Sequence, residues 1–232
     1  YTIPTYQNPT GFSTPDSKKQ SVLDLALRHG FVIIEDDPYR NLSFEGRPEG
    51  TYIRAAGDKK NVAYLGSFSK IVAPGLRCGW VVAPQPVIEK MLKIRIMGTL
   101  CLPEILHYGL WEFVNSIDLT EYLEGLSRTY RQHRDALVSS LMRHAGPHGL
   151  ELAVPKGGFF LWGRVPWIED MKSFALYAIR EEKIAVIPGK EFFLGGHVEE
   201  DTVRLSFSKV TPSMAEECAR RLGTALKRFR DL

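Results

Sequence analysis

Short apolar runs and helix-period stripes alternate along the chain as far as Pro84, the rhythm of parallel βαβ units. Thr14-Pro15 offers a cap followed by proline in the first helical turn, Val22, Leu23, Ala26 and Leu27 recur on one face, and Gly30 supplies a stop. The pattern predicts a helix from Pro15 to His29. Phe31-Val32-Ile33-Ile34 reads as a buried strand, Val62 to Leu65 as the next and Cys78 to Val82 as another, while Tyr1-Thr2-Ile3-Pro4 reads as the first. Phe44 to Lys60, rich in glycine, proline and charge, is a loop with at most a short helix. From Pro86 to Ala145 the pattern is helical, with Leu119, Leu123, Leu126, Tyr130, Leu137 and Leu141 at helix spacing until Gly146-Pro147 ends the run. Short strands follow, Phe159 to Val165, Ile184 to Ile187 and Val203 to Phe207, between helices over Met171 to Glu182 and Pro212 to Arg230. The expected organisation is part of a large α/β domain over 1–115, a long connecting helix over 116–145 and a smaller α+β domain over 146–232.

Composition narrows the function classes. A chain of 232 residues, 44% of them hydrophobic, can supply a real core. The net charge of +3 is dispersed, and the densest basic stretch, Lys227-Arg228-Phe229-Arg230, ends a predicted helix where cations suit the macrodipole, so a nucleic-acid site is not expected there. The 3 cysteines, Cys78, Cys101 and Cys218, are widely spaced, which suits neither a disulfide framework nor a zinc ribbon and makes a cytoplasmic setting the expectation. No run approaches the ~20 apolar residues of a membrane span. The chain opens without methionine in what reads as a strand, so an N-terminal portion is expected to be missing.

Four segments fall where strands should end, the place where open α/β sheets hold ligands. They are Gln7-Asn8-Pro9-Thr10-Gly11, Glu35-Asp36-Asp37-Pro38-Tyr39-Arg40, Ser67-Phe68-Ser69-Lys70 and Arg77 after a Pro74-Gly75 turn. Each alone has a plain structural explanation: a turn, a capping carboxylate, turn hydroxyls, a surface cation. Arg204, in Thr202-Val203-Arg204-Leu205-Ser206-Phe207, is a charge within a period-2 strand and asks for a partner. No metal ligation is expected, because none of the 6 histidines falls in His-Glu-x-x-His or beside a cysteine at ligand spacing.

Taken in order, Asn-Pro-x-Gly, Asp-x-x-Tyr, Ser-x-Ser-Lys, Arg and a distal Arg-Leu-Ser resemble the class I/II aminotransferases, pyridoxal-phosphate-dependent enzymes of fold type I. Tyr-x-x-Pro-x-x-Gln-Asn-Pro-Thr-Gly and Ser-Lys-x-x-x-Pro-Gly-Leu-Arg are similar to the aminoadipate and kynurenine aminotransferase branch. The resemblance implies an α/β fold, a partial, mainly parallel sheet with helices on both faces, followed by the smaller C-terminal α+β domain. It implies pyridoxal 5'-phosphate as cofactor, an amino acid and a 2-oxo acid, 2-oxoglutarate among them, as substrates, and a homodimer. Lys70 would form the Schiff base and act as general base, which requires a neutral amine. Asp36, with Asp37 as fallback, would pair with the ring nitrogen, Asn8 and Tyr39 would hold the 3-hydroxyl oxygen, and Ser67, Ser69 and Arg77 the phosphate. Arg204, with Asn8, would bind the substrate carboxylate. Pro155-Lys156-Gly157-Gly158-Phe159-Phe160-Leu161-Trp162 and Pro188-Gly189 also match, with Phe159 and Phe160 as specificity candidates.

Three rivals stand beside this reading. Ser67-Phe68-Ser69-Lys70 satisfies the Ser-x-x-Lys of penicillin-recognising enzymes, yet Ser-Asp-Asn and Lys-Thr-Gly are absent from the sequence. A lyase of the same fold would use similar cofactor residues. Regulators that fuse a winged-helix DNA-binding domain to an aminotransferase-like sensor form the third; nucleic acid enters only there, through an upstream domain, and Asn8 speaks against it. In the family the ring-stacking aromatic, a glycine-rich phosphate loop and the first strands precede the position where this chain opens, so weak cofactor binding is expected of residues 1–232 alone.

Overall fold

A computed structural model describes every residue except 59, 60, 102 and 197. The chain divides into two compact units, Tyr1–Thr5 with Phe12–Ser127 and Tyr6–Gly11 with Arg128–Leu232.

In the first unit, helix α1 (Asp16–His29) starts one residue later than expected, with Pro15 as the capping residue, and ends on Gly30 at φ 70, whose N–H donates to Ala26 O. Leu23 and Ala26 are buried as the periodicity requires. Leu27 is not, being 46% exposed, and the fourth position on the inner face is Lys19, at 1%. The lysine is tolerated there because its Nζ donates to Gly50 O at 2.7 Å and reaches Asp16 at 3.2 Å. Strand β1 (Ile33–Asp36) lies parallel to β2 (Val62–Ser67), with Asp36 opposite Leu65. The expected strand at Phe31 begins two residues later, because Phe31 N–H donates to Ala26 O and still belongs to the helix terminus. The opening strand reduces to a single parallel bridge between Thr2 and Glu35.

Strand β3 (Gly79–Val82) runs antiparallel to β2, pairing Ser67 with Gly79. A parallel return needs a crossover of a dozen or more residues, usually a helix, and the turn and short 3-10 segment Pro74–Leu76 between the two strands do not supply one. The short helix allowed within Phe44 to Lys60 is α2 (Tyr52–Ala56); the last two residues of that stretch lie outside the described residues. Leu23, Ala26, Ile33, Tyr52, Ala56 and Val62 make the core of α1, β1, β2 and α2. Two further helices, α3 (Gln85–Thr99) and α4 (Glu104–Ser116), precede the long α5 (Leu119–His144), which Asp118 caps through the N–H groups of Thr120 and Glu121.

The second unit holds a four-stranded antiparallel sheet in the order β4 (Glu151–Ala153), β5 (Phe160–Arg164), β7 (Thr202–Ser206), β6 (Ile187–Pro188). Helix α6 (Met171–Glu181) and helix α7 (Pro212–Arg230) bury Phe174, Ala178, Ala215, Ala219, Leu222 and Leu226. The strand expected at Ile184 shrinks to its last residue and Pro188, since proline ends the donor ladder. No helix among the described residues is long and apolar enough to cross a membrane.

Candidate active site

Within the first unit, the residues singled out around the lysine gather where β1 and β2 end. Register places Asp36 beside Leu65, two residues short of Ser67, so both strands deliver their last side chains to one edge. The chain then turns: Val72 N–H donates to Phe68 O at 2.8 Å and Ser69 N–H to Ser67 Oγ at 3.1 Å, and half-buried Lys70 rides on this turn. Phe68 N–H donates to Cys78 O at 3.1 Å, tying the turn to the start of β3. Arg77 follows at φ 51, an uncommon left-handed conformation for a residue with a Cβ, and is exposed, with Nη1 donating to Pro74 O at 3.3 Å. The two strands approach closely at Gly66, where a Cβ would overlap the Trp80 indole that lies across it.

The two adjacent aspartates separate. Tyr1 donates its hydroxyl to Asp36 Oδ2 at 2.5 Å. The Asp37 side chain is fully buried, 3.4 Å from Arg40 Nη1, and burial raises its carboxyl above the usual range despite that cation. Glu35, also at zero exposure, accepts the N–H groups of Tyr52 and Ile53 at 2.8 and 3.0 Å, capping α2. Tyr39 is buried in the turn after β1, its carbonyl accepting Leu42 N–H.

In the second unit, Arg204 Nη1 donates to Asn8 Oδ1 at 2.7 Å across 196 positions of sequence. The Arg204 guanidinium carbon lies 4.4 Å from the Phe160 ring centroid and 4.9 Å from that of Phe192. Strand pairing sets Trp162 and Ile187 on either side of Arg204. Phe159 packs on Tyr130 at 4.8 Å between ring centroids. Of the sequence candidates, Asp36, Tyr39, Ser67, Ser69, Lys70 and Arg77 thus lie in the first unit, and Asn8, Arg204, Phe159 and Phe160 in the second. Among the described residues, no group of three or more His, Cys, Asp or Glu is placed to hold a metal ion. Two residues at these sites escaped the sequence reading. Phe192 lies outside every motif the sequence offered, and Tyr1, although it heads the Tyr-x-x-Pro-x-x-Gln-Asn-Pro-Thr-Gly motif, was given no role.

The profile of the family "Aminotransferase class I and II" matches residues 2–222, nearly the whole chain. The chain belongs to the class I and II aminotransferase family. It is 34% identical over 227 residues to aromatic-amino-acid aminotransferase 1 of Thermococcus litoralis, covering 98% of this chain and 54% of that protein. It is 32% identical over 209 residues to an uncharacterized HTH-type transcriptional regulator of Bacillus subtilis, covering 90% of this chain and 42% of that one. Among solved structures it matches the α-aminoadipate aminotransferase LysN of Thermus thermophilus, complexed with N-(5'-phosphopyridoxyl)-L-leucine, with a TM-score of 0.91 and 34% identity over 100% of this chain and 59% of that one. The fold is therefore that of the fold type I aminotransferases, and the expected aminoadipate branch is represented among the matches. The chain spans about half the length of the curated aminotransferase it matches.

Proposed function

We propose that this chain carries the cofactor and substrate-carboxylate residues of an aminotransferase that moves an amino group between an L-amino acid and a 2-oxo acid, with 2-oxoglutarate as acceptor. The observation that supports it most is the gathering of Asp36, Ser67, Ser69 and Lys70 at the shared end of β1 and β2 in a chain of this family. The donor set fits pyridoxal 5'-phosphate: a carboxylate for a ring nitrogen, hydroxyls and a guanidinium for a phosphate, and an amine for a carbonyl carbon. When bound, that group supplies an electron sink for the carbanion left by proton removal. Asp36 would hold a proton on the ring nitrogen, Tyr39 and Asn8 would donate to the ring oxygen, and Ser67, Ser69 and Arg77 would bind the phosphate. Lys70 Nζ would take the proton from the substrate α-carbon and deliver it to the carbon that the cofactor's carbonyl group supplies, on the far side of the shared nitrogen. Arg204 would grip the carboxylate through two parallel hydrogen bonds, which its planar fork allows.

The test is the visible spectrum on adding pyridoxal phosphate, followed by borohydride reduction and peptide mapping. The expected adduct is on Lys70; an adduct on another lysine would overturn the assignment. A sensing domain of a transcription regulator is the second reading, favoured by the regulator relative. Amino-group transfer from a panel of L-amino acids to 2-oxoglutarate separates the two, since a sensor would take up the cofactor on Lys70 without turnover. A homodimer is the assembly we read from the family, tested by light scattering.

A further inference from the structure

The proposed carboxylate grip depends on more than Arg204. Two aromatic rings lie close to its guanidinium, Phe160 at 4.4 Å and Phe192 at 4.9 Å. Phe160 comes from β5, a strand next to β7, so its place follows from the sheet. Phe192 does not belong to the sheet. It ends the 3-10 segment Gly189–Phe192, and that segment is seated with care. Gly189 packs so closely on the sheet that a Cβ would overlap Thr202 Oγ1 and lie 2.7 Å from the Trp162 ring. Lys190 fastens the segment from outside, 2.9 Å from Glu200 and 3.4 Å from Asp170. Trp162, paired with Arg204 across the strands, meets the Phe192 ring nearly edge-on, with centroids 6.2 Å apart and planes at 74°. Trp162, Phe192, Arg204 and Phe160 thus form one contiguous cluster, and Asn8 Oδ1 fixes Nη1 within it.

A guanidinium on a long aliphatic stem is mobile, and a bidentate grip needs its plane held. Rings packed against it supply a cation–π attraction and leave its edges, where all five N–H bonds lie, as the direction for hydrogen bonding. We propose that Phe192 is a positioning residue for substrate: by packing its ring against Arg204 it sets the plane in which the guanidinium meets a carboxylate. The inference rests on the reading of Arg204 as the carboxylate grip and adds a residue to it.

The experiment compares Phe192→Leu, Phe192→Tyr and Arg204→Ala in the cofactor-loaded protein, with 2-oxoglutarate as the probe. The readouts are KM, kcat, the calorimetric Kd of the probe, the cofactor absorbance and the melting temperature. Phe192→Leu is expected to raise KM and Kd about tenfold, the scale of one lost cation–π contact, with kcat within about twofold. Phe192→Tyr, which keeps the ring, should restore both to near the parent values. If Phe192→Leu does not fold, Phe192→Met takes its place with the same expectations. Unchanged KM and Kd in the ringless variant, beside a weakened Arg204→Ala, would overturn the role of Phe192 and leave the grip standing. A fall in kcat and melting temperature with no shift in Kd would equally overturn it, as the mark of a mere filler. Failure of the parent to bind the probe, or binding indifferent to Arg204→Ala, removes the grip itself and the inference with it.

Discussion

Asp36 and Asp37, consecutive at the end of β1, place their carboxylates in opposite surroundings: Asp36 accepts the Tyr1 hydroxyl at 2.5 Å, whereas the buried Asp37 side chain meets Arg40 at 3.4 Å. Alternation of side chains along extended backbone produces this split. The same truncation should therefore do different things at the two positions. Asp36→Ala is expected to lower amino-group transfer by about a hundredfold or more, the scale of a lost charge partner at a reacting group, with stability nearly unchanged. Asp37→Ala leaves a cation without its partner and a hole behind it, and should cost about 2 kcal/mol in urea unfolding with turnover largely kept. Equal effects at both positions in paired unfolding and kinetic measurements would defeat the assignment of Asp36.

Glu35 predicts a pH signature. Burial raises its carboxyl above the usual carboxylate range, outweighing the two backbone N–H bonds that favour the ionised form, and Asp37 raises it further while Lys19 opposes. Asp37 is likewise raised from 3.8 by burial. A carboxyl raised on folding binds its proton more tightly in the native state, so the unfolded chain loses protons first as pH rises. From the ordinary carboxylate range up to the raised native values, stability should fall with increasing pH. Glu35→Gln, which carries no charge and keeps one acceptor oxygen, should flatten that slope. It should also cost about 1 kcal/mol at neutral pH through the lost bond to one N–H of α2. Urea midpoints taken across the acid range decide it, and a slope unaffected by the substitution refutes the linkage.

How far the fold was legible depends on how local its causes are. The bounds of α7 follow from Thr211-Pro212 and an amphipathic stripe, and the helix runs over the residues the pattern named. Strand β4 escaped because Glu151-Leu152-Ala153 is three residues long and has no β-branched member. Lys19 escaped because periodicity counts a lysine as polar, while its burial depends on the carbonyl of Gly50, 31 positions away. The antiparallel entry of β3 is set by the length of its connection, which a strand pattern does not report. Among the candidate site residues, ordered motifs marked Asp36 and Lys70, but Phe192 approaches Arg204 only through the seating of Gly189 on Thr202.

Close approach at Gly66 gives a third prediction. The Trp80 indole occupies the space a Cβ would need, and it also packs on Phe68 with centroids 4.9 Å apart. Gly66→Ala must displace a ring that braces the Ser67–Lys70 turn. A cost of about 1–3 kcal/mol is expected, as for other overpacked sites. Trp80→Leu in the same chain should recover part of it by vacating the space. Independent, additive effects of the two substitutions in thermal unfolding would show that the ring and the glycine do not constrain one another.

Asn8 and Arg204 give the last prediction, in which charge rather than size is the variable. Asn8 Oδ1 accepts Arg204 Nη1 at 2.7 Å and, as a neutral amide, leaves the guanidinium its full positive charge. Asn8→Asp is nearly isosteric, yet it would set a carboxylate on the arginine and neutralise it from within. A substrate carboxylate would then have to compete with an internal one. Asn8→Ala removes the acceptor but not the charge. If Arg204 binds substrate, KM for 2-oxoglutarate should rise further in Asn8→Asp than in Asn8→Ala, by about tenfold, since charge-assisted bonds of this kind are worth roughly twice neutral ones. The added penalty should shrink as pH falls through the range where the new aspartate takes up a proton. A KM ratio between the two variants that is near one at every pH would show that the guanidinium charge is not what the substrate meets.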